Sequence, residues 1–453
     1  MSTSINEKSA PHLSQKGGND DDTSAINVPA RTTELVGAIF NLTKSAVGAG
    51  TVYLPAIFYM AGPVIASSLL LSGALLCAVP LYFLGRMAHH CETGDYFKLG
   101  RLAMGPHGET AVSISLLLFL LGGLIAYASL TGEYISSAAA TLGGYDIDAT
   151  IFTGTNVTVI AAALCIFPLS LLKDMSMLAK TSILGMVSML YIASLLAYDA
   201  LTYGTAYGIA HEAADNFGAE AYDHGSLFNF AFFLCGTIGK LVFAFVNHFT
   251  IVSLVPVMKD PSAKSRMTLV TVSTLAATVI YVLAAFGGYN RFGSLLIRDG
   301  EAVDALSAFT KQVPMPYVIA KLLLGFVLIC SFPLLADPAR SCLDSLVFGS
   351  SSSVSASFRH YLETGLIVAV PTTIAFFWAK TAGDFLSFFS GFCGSLLVFT
   401  FPGAFFLILS RKFKFSMSSM EKSLAYLCVG LGIVFAILSS IANGSKLISV
   451  FTK

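Results

Sequence analysis

Apolar runs of about 18 residues or more recur along nearly the whole chain, separated by short polar connectors. Each is long enough to cross the hydrocarbon as a helix, which takes about 20 residues. We read about eleven of them: 34–60, 64–86, 110–140, 155–172, 181–203, 227–258, 267–288, 315–341, 361–380, 385–410 and 421–442. A turn at Gly62-Pro63 parts the first two. The pattern predicts an all-α polytopic membrane protein whose single transmembrane domain fills 34–442, with no soluble module. Residues 1–33, rich in Ser, Asn and Asp, read as a disordered cytoplasmic tail without the apolar core of a signal peptide, and 443–453 as a short C-terminal tail.

Two of these runs are interrupted at membrane depth. The stretch from Asn41 to Phe58, NLTKSAVGAGTVYLPAIF, carries a lysine, a Gly-Ala-Gly triplet and a proline. A helix in lipid must satisfy its own backbone, so a glycine-rich break is tolerable only where it is buried in protein or lines a cavity. Unwinding at Gly48-Ala49-Gly50 frees N–H groups at the start of one half-helix and carbonyls at the end of the other. That makes an anion site and a cation site side by side, as an amino acid zwitterion requires. The plainer alternative is close helix packing by glycine and a kink by proline.

The sixth run, KLVFAFVNHFTIVSLVPVMKDPS from Lys240 to Ser262, is broken by Asn247-His248. A polar or ionisable residue there is costly and points to function, although His248 can equally be an interior histidine bonded to a carbonyl. Runs one and six stand five apart, so 34–203 and 227–410 match as two inverted repeats followed by helix eleven. Interruptions at matching positions indicate a midplane transport site.

Composition narrows the class. The chain is 55% apolar and only 11% charged, with a mean hydropathy of +0.76, against about 25% charged in soluble proteins. The formal net charge is zero and the pI about 7.1, so nothing argues for nucleic acid. The eight cysteines lie in apolar segments, except Cys91 and Cys342 just past segment ends, and imply no disulfide framework. Lys8, Lys16, Arg31, Arg86, Lys98, Arg101, Lys173, Lys180, Lys259, Lys264, Arg266, Arg340, Arg359, Arg411, Lys412, Lys414 and Lys422 all fall on the side of the amino terminus. Only Arg291, Arg298, Lys311, Lys380, Lys446 and Lys453 fall opposite. The positive-inside rule then sets the amino terminus in the cytoplasm and the carboxyl end outside, or in the lumen of a vacuole or lysosome. Lys240 and Lys321 sit near enough to run ends to snorkel. The loop Gly204 to Gly225 is acidic, a solvated outer loop or a cation-attracting vestibule. The Asn156-Val157-Thr158 sequon abuts run four and is expected to stay unmodified, and Ser350–Ser357 reads as flexible.

Catalytic chemistry finds no support in the motifs, and neither a cofactor nor a metal is expected. Tyr198-Asp199 offers half of an aspartyl dyad without a Gly-x-Gly-Asp partner. There is no Gly-x-Ser-x-Gly, no phosphate loop and no metal-ligand spacing. An amino acid sensor using the same pocket remains a second class, distinguished by binding without accumulation.

Asn41-Leu42-Thr43-Lys44-Ser45-Ala46-Val47-Gly48-Ala49-Gly50 with Leu54-Pro55 resembles the first-helix motif of the amino acid/auxin permease family of eukaryotic amino acid transporters. Phe243-Ala244-Phe245, His248 and the Met258-Lys259-Asp260-Pro261-Ser262 segment are similar to its sixth helix and following loop. Ser331-Phe332-Pro333 with Pro338-Ala339-Arg340 resembles its eighth, and Phe401-Pro402-Gly403 the end of its tenth. The resemblance implies a LeuT-like fold of two inverted five-helix repeats plus one helix, with helices one and six broken. It implies that Ser45, Gly48, Ala49, Gly50 and Thr51 surround the substrate carboxylate. Phe243, Ala244 and Phe245 would receive the amine, with Asn247 and His248 beside the substrate side chain.

For the coupling ion, the resemblance directs attention to Lys44, Val47 and Ser331, where sodium-coupled relatives commonly use first-helix carbonyls and eighth-helix hydroxyls. The ammonium of Lys44 would repel sodium and could fill the cation's role, or it could snorkel to the interface. Glu133 is either a proton acceptor or an interfacial acid. The expected partners are an amino acid, a coupling ion that is a proton rather than sodium, and the lipid bilayer. Sodium-coupled symport is the alternative.

Overall fold

Glycine and proline set several helix boundaries in this computed structural model. Gly62 and Gly105, at φ 77° and 68°, turn the chain through the left-handed region, and Pro63 and Pro106 begin the helices that follow. The structure describes residues 31–146, 151–172, 176–203, 227–298, 301–309, 313–348 and 354–452. The amino-terminal tail up to residue 30, the acidic loop from 204 and the first half of the Ser-rich connector lie outside them.

The first apolar run folds as α1 (Leu35–Ala46), a 3-10 turn (Ala49–Tyr53) and α2 (Leu54–Ala61), bent by 50°. There follow α3 (Pro63–His90), α4 (Tyr96–Met104), α5 (Pro106–Gly143), α6 (Gly154–Ala161), α7 (Phe167–Ser170) and α8 (Ser176–Tyr203). The second broken run is α9 (Leu227–Ala244) and α10 (His248–Leu254). Next come α11 (Ala263–Phe292), a hairpin of β1 (Ile297–Arg298) and β2 (Glu301–Ala302), α12 (Met315–Val347) and α13 (Ala356–Phe377). The chain closes with α14 (Ala382–Phe389), α15 (Phe401–Lys412) and α16 (Ser419–Thr452).

Among the described residues, eight helices are long and apolar enough to span a membrane, or nine if α1 and α2 form one span. Gly154–Ser170, Ala231–Val242 and His248–Val257 are apolar but shorter. These pieces are where the described structure falls short of the eleven spans expected: the break at Asn247 divides run six into lengths that no longer pass for a crossing, and Gly154–Ser170 is by itself shorter than a full crossing.

Hydropathy alone does not reveal α4, which is capped by Asp95 accepting from the Phe97 N–H at 2.8 Å. π-Helical turns at Ala162–Ile166 and Leu396–Thr400 each run up to a Phe-Pro pair, Phe167-Pro168 and Phe401-Pro402. A proline donates no N–H and crowds the turn before it, and a widened turn accommodates both effects. The carboxyl-terminal helix continues to Thr452, so 443–452 is helix rather than tail. Cys342 lies inside α12, not beyond it, and all eight cysteines are free. Asn156 sits in the first turn of α6, its amide donating to the Ile151 carbonyl at 2.8 Å.

Helix α5 forms the centre: 67% of its apolar stretch is buried, against 28% for peripheral α16. Glycines let α11 press on the first broken run and on α8. A Cβ added at Gly288 would lie 2.5 Å from Pro55 Cγ, and one at Gly287 would lie 2.6 Å from the Ala197 nitrogen. Thr33 is not part of a free tail. Its N–H donates to the Val257 carbonyl at 3.0 Å and its carbonyl accepts from the Lys259 N–H at 2.9 Å, while Lys259 Nζ reaches Glu34 at 2.8 Å. The start of the first broken run is thereby tied to the end of the second. The Lys259 ammonium holds the Glu34 carboxyl below the usual carboxylate range.

Candidate functional site

Helix α1 stops at Ala46. The Val47 N–H still donates to the Thr43 carbonyl at 3.0 Å, Gly48 is extended at φ −137° and ψ −158°, and the Thr51 N–H donates to the Gly48 carbonyl at 3.0 Å. The Thr51 amide is therefore occupied within the turn. The first amides of that turn, around Gly48, Ala49 and Gly50, have no acceptor inside their own helix. Helix α9 stops at Ala244, and Asn247, at φ −136° and ψ 17°, precedes α10. The Asn247 carbonyl accepts from the N–H groups of Thr250 and Ile251 at 3.1 and 3.3 Å.

The two breaks lie side by side. Asn247 Nδ2 donates to the Leu42 carbonyl at 3.3 Å, joining the second break to α1. The hydroxyl of Tyr281, on α11, reaches the Ala46 carbonyl at 2.7 Å and also the Ala244 carbonyl. The carboxyl ends of both interrupted helices thus meet one phenol. Phe245 packs edge-on against that ring at 5.2 Å between centroids. Carbonyls at helix ends carry the negative pole of the helix dipole and amides at helix starts the positive pole, so the break presents both signs within one buried region.

Other expected residues fall around this core. Ser45 returns its hydroxyl to the Leu42 carbonyl at 3.0 Å within its own helix. Gly48 faces Tyr127, whose hydroxyl would be 3.5 Å from a Cβ added there. Thr51 is fully buried, and its Oγ1 has no partner among the described residues. Phe243 lies in the last turn of α9, and Ala244, Phe245 and Asn247 are buried. His248 is turned towards α3, where its Nε2 is 3.2 Å from the Cys77 carbonyl, while Nδ1 is buried without a partner among the described residues. It matches the interior-histidine alternative at one ring nitrogen and leaves the other unfilled.

The ion-coupling candidates separate into two places. Val47 is buried beside the first break. Lys44 passes close to α8 and α12: its Cε is 3.7 Å from where a Cβ on Gly185 would sit, and Val327 is 3.4 Å from the same point. Ser331 follows Val327 by one helical turn on the same face. Any larger side chain at 185 would therefore meet the lysine.

Glu133 belongs elsewhere. It lies on α5 within electrostatic reach of Asp304, Lys321 and Arg298. Asp304 accepts from the Tyr134 hydroxyl at 2.8 Å and from the Leu306 and Ser307 N–H groups at 3.0 and 3.2 Å. The adjacent Ala305 N–H donates to the Val52 carbonyl at 2.9 Å, tying this cluster to the broken helix. Lys321 is only 1% exposed and donates to Ser137 Oγ at 2.6 Å, which corrects the expected snorkelling. The Ser137 hydroxyl accepts from its ammonium in place, with the Asp304 and Glu133 carboxylates within electrostatic reach.

Three groups that matter here are invisible as motifs: Tyr281, Tyr134 and Asp304. The available signal for the tyrosines is that a phenol in an apolar helix needs a partner for its O–H.

Comparison with known proteins agrees with this architecture. The family model described as transmembrane amino acid transporter protein matches residues 31–443. The human sodium-coupled neutral amino acid transporter 4 is 22% identical over 470 residues, covering 91% of this chain and 84% of the relative. Among solved structures, MhsT in complex with L-phenylalanine superposes with a TM-score of 0.61 at 12% identity, over 91% of this chain and 100% of that one. The substrate-bound outward-open state of a Na+-coupled sialic acid symporter gives 0.52 at 13%, over 91% and 90%. At these identities the likeness to both LeuT-fold proteins is one of fold. With its family model matched across almost the entire membrane domain, the chain belongs to the transmembrane amino acid transporter family.

Proposed function

We propose that this protein carries amino acids across a membrane by alternating access, using the two breaks as the substrate site. The observation that carries the reading is the juxtaposition of the broken helices: Asn247 bonds to α1, and Tyr281 bonds to Ala46 and Ala244 at once. The amides around Gly48, Ala49 and Gly50 take the α-carboxylate, and the helix-end carbonyls take the α-ammonium. Thr51 Oγ1 and His248 Nδ1, buried without a partner among the described residues, fit a site whose ligand supplies one. The architecture that goes with this function is eleven spans in two inverted repeats plus one, with the amino terminus cytoplasmic and the other end outside or lumenal.

Coupling is to protons rather than sodium, with the Lys44 ammonium as the fixed cation between α1, α8 and α12. Its position against Gly185 and Val327 supports this. A sodium-coupled mechanism is the second reading, favoured by the name of the human relative. In proteoliposomes, uptake is expected to rise with an inward proton gradient and to persist when choline replaces sodium. Lys44→Met is expected to lower the proton-driven component by about tenfold or more, as removal of a half-buried charge that mediates coupling would. Uptake abolished by choline at every pH would establish the sodium mechanism instead.

A further inference from the structure

The Tyr281 hydroxyl carries one proton and stands against two carbonyls, those of Ala46 and Ala244. It can satisfy only one of them fully. Each carbonyl retains lone-pair capacity, and the phenol oxygen retains its own after donating. Both carbonyls end half-helices, where the dipole concentrates negative character. The group is sealed from solvent: Tyr281 is 0% exposed, Ala244 2% and Ala46 7%, with the Phe245 ring packed against the phenol. Three oxygens therefore converge at one buried point with more acceptor capacity than one hydroxyl proton can fill. A primary ammonium has three N–H donors.

We propose that Tyr281 completes the ammonium half of the substrate site. Its O–H holds the Ala46 and Ala244 carbonyls together across the two breaks, and its oxygen serves as the third acceptor for the α-ammonium. The proposal rests on the breaks being an amino acid site, and it assigns selection for a primary amine to one residue of α11. An analogue without the amine leaves those buried carbonyls short of donors, which is where the discrimination arises.

The test compares wild type with Tyr281→Phe in proteoliposomes. It measures KM for a transported amino acid and the inhibition constant of the matching carboxylic acid that lacks the amine. The variant is expected to raise KM roughly ten- to hundredfold, the effect of removing a hydrogen bond to a charged group, while leaving inhibition by the amine-free analogue unchanged. Parallel losses for both compounds, or no change in either, would overturn the assignment. Should wild type move no amino acid, the parent reading fails before the variant is informative. Should the variant not purify as a monodisperse protein, N-methyl and N,N-dimethyl amino acids on wild type serve instead. Affinity is expected to fall stepwise as each N–H is removed, and equal affinity across the series would contradict the three-acceptor pocket.

Discussion

A methyl group added at Gly288 is expected to lower uptake by about tenfold, and the same change at Gly365 to leave it unaltered. The added carbon at 288 would fall 2.5 Å from Pro55 Cγ and 2.7 Å from its Cβ, well inside contact distance. A proline ring cannot rotate away, so the strain passes to the backbone of α2, the half-helix that follows the first break. Overpacking of this kind costs about 1–3 kcal/mol, and a displacement that weakens substrate binding by 1.4 kcal/mol is about a factor of ten. Gly365 has nothing within 4 Å of an added Cβ, so Gly365→Ala controls for the methyl itself. Initial rates in proteoliposomes, normalised to reconstituted protein, decide the matter. Equal rates for the two variants would mean that the seating of α2 on α11 does not position the site.

The largest expected effect on stability is at Asp199. Its Oδ2 accepts from Arg291 Nε at 2.5 Å and from the Tyr317 hydroxyl at 2.8 Å, with the two charged side chains 11% and 8% exposed. The trio joins α8, α11 and α12. Asp199→Ala leaves the buried Arg291 guanidinium without its counter-ion, a loss of about 3–5 kcal/mol. Asp199→Asn keeps the shape and one acceptor oxygen and is expected to fall between Ala and wild type. The midpoint of thermal unfolding in detergent micelles checks this, with the order wild type, Asn, Ala. An unchanged midpoint for Asp199→Ala would show that the pair contributes nothing. The same contacts explain why Asp199, considered for an aspartyl dyad, needs no catalytic partner.

Both breaks were legible because each violates a strong local rule. A Gly-Ala-Gly triplet with Lys44, and Asn247-His248, stand where lipid tolerates neither loose backbone nor polar side chains. Run boundaries held less well, since α16 continues past Asn443 and Lys446 although the apolar pattern thins there. The inner structure of the site was beyond reach for a different reason. Tyr281 bonds to carbonyls 235 and 37 positions away in the chain, and nothing local distinguishes it from a packing tyrosine. Lys321 looked free to snorkel because hydropathy fixes neither the rotation of a helix nor the neighbours on its buried face. Asp304 lies in a connector, where an acid ordinarily faces water. It is buried because Tyr134 and two backbone N–H groups converge on it.

The account stands on two interrupted helices gripping both charges of one zwitterion. The direct measurement is accumulation of the twenty radiolabelled amino acids by proteoliposomes, with competition by analogues lacking either the amine or the carboxylate. Saturable uptake of at least one amino acid is expected, competed strongly by the intact compound and far more weakly by either analogue. Binding without accumulation or exchange, or competition by both analogues as strong as that by the amino acid itself, would contradict it.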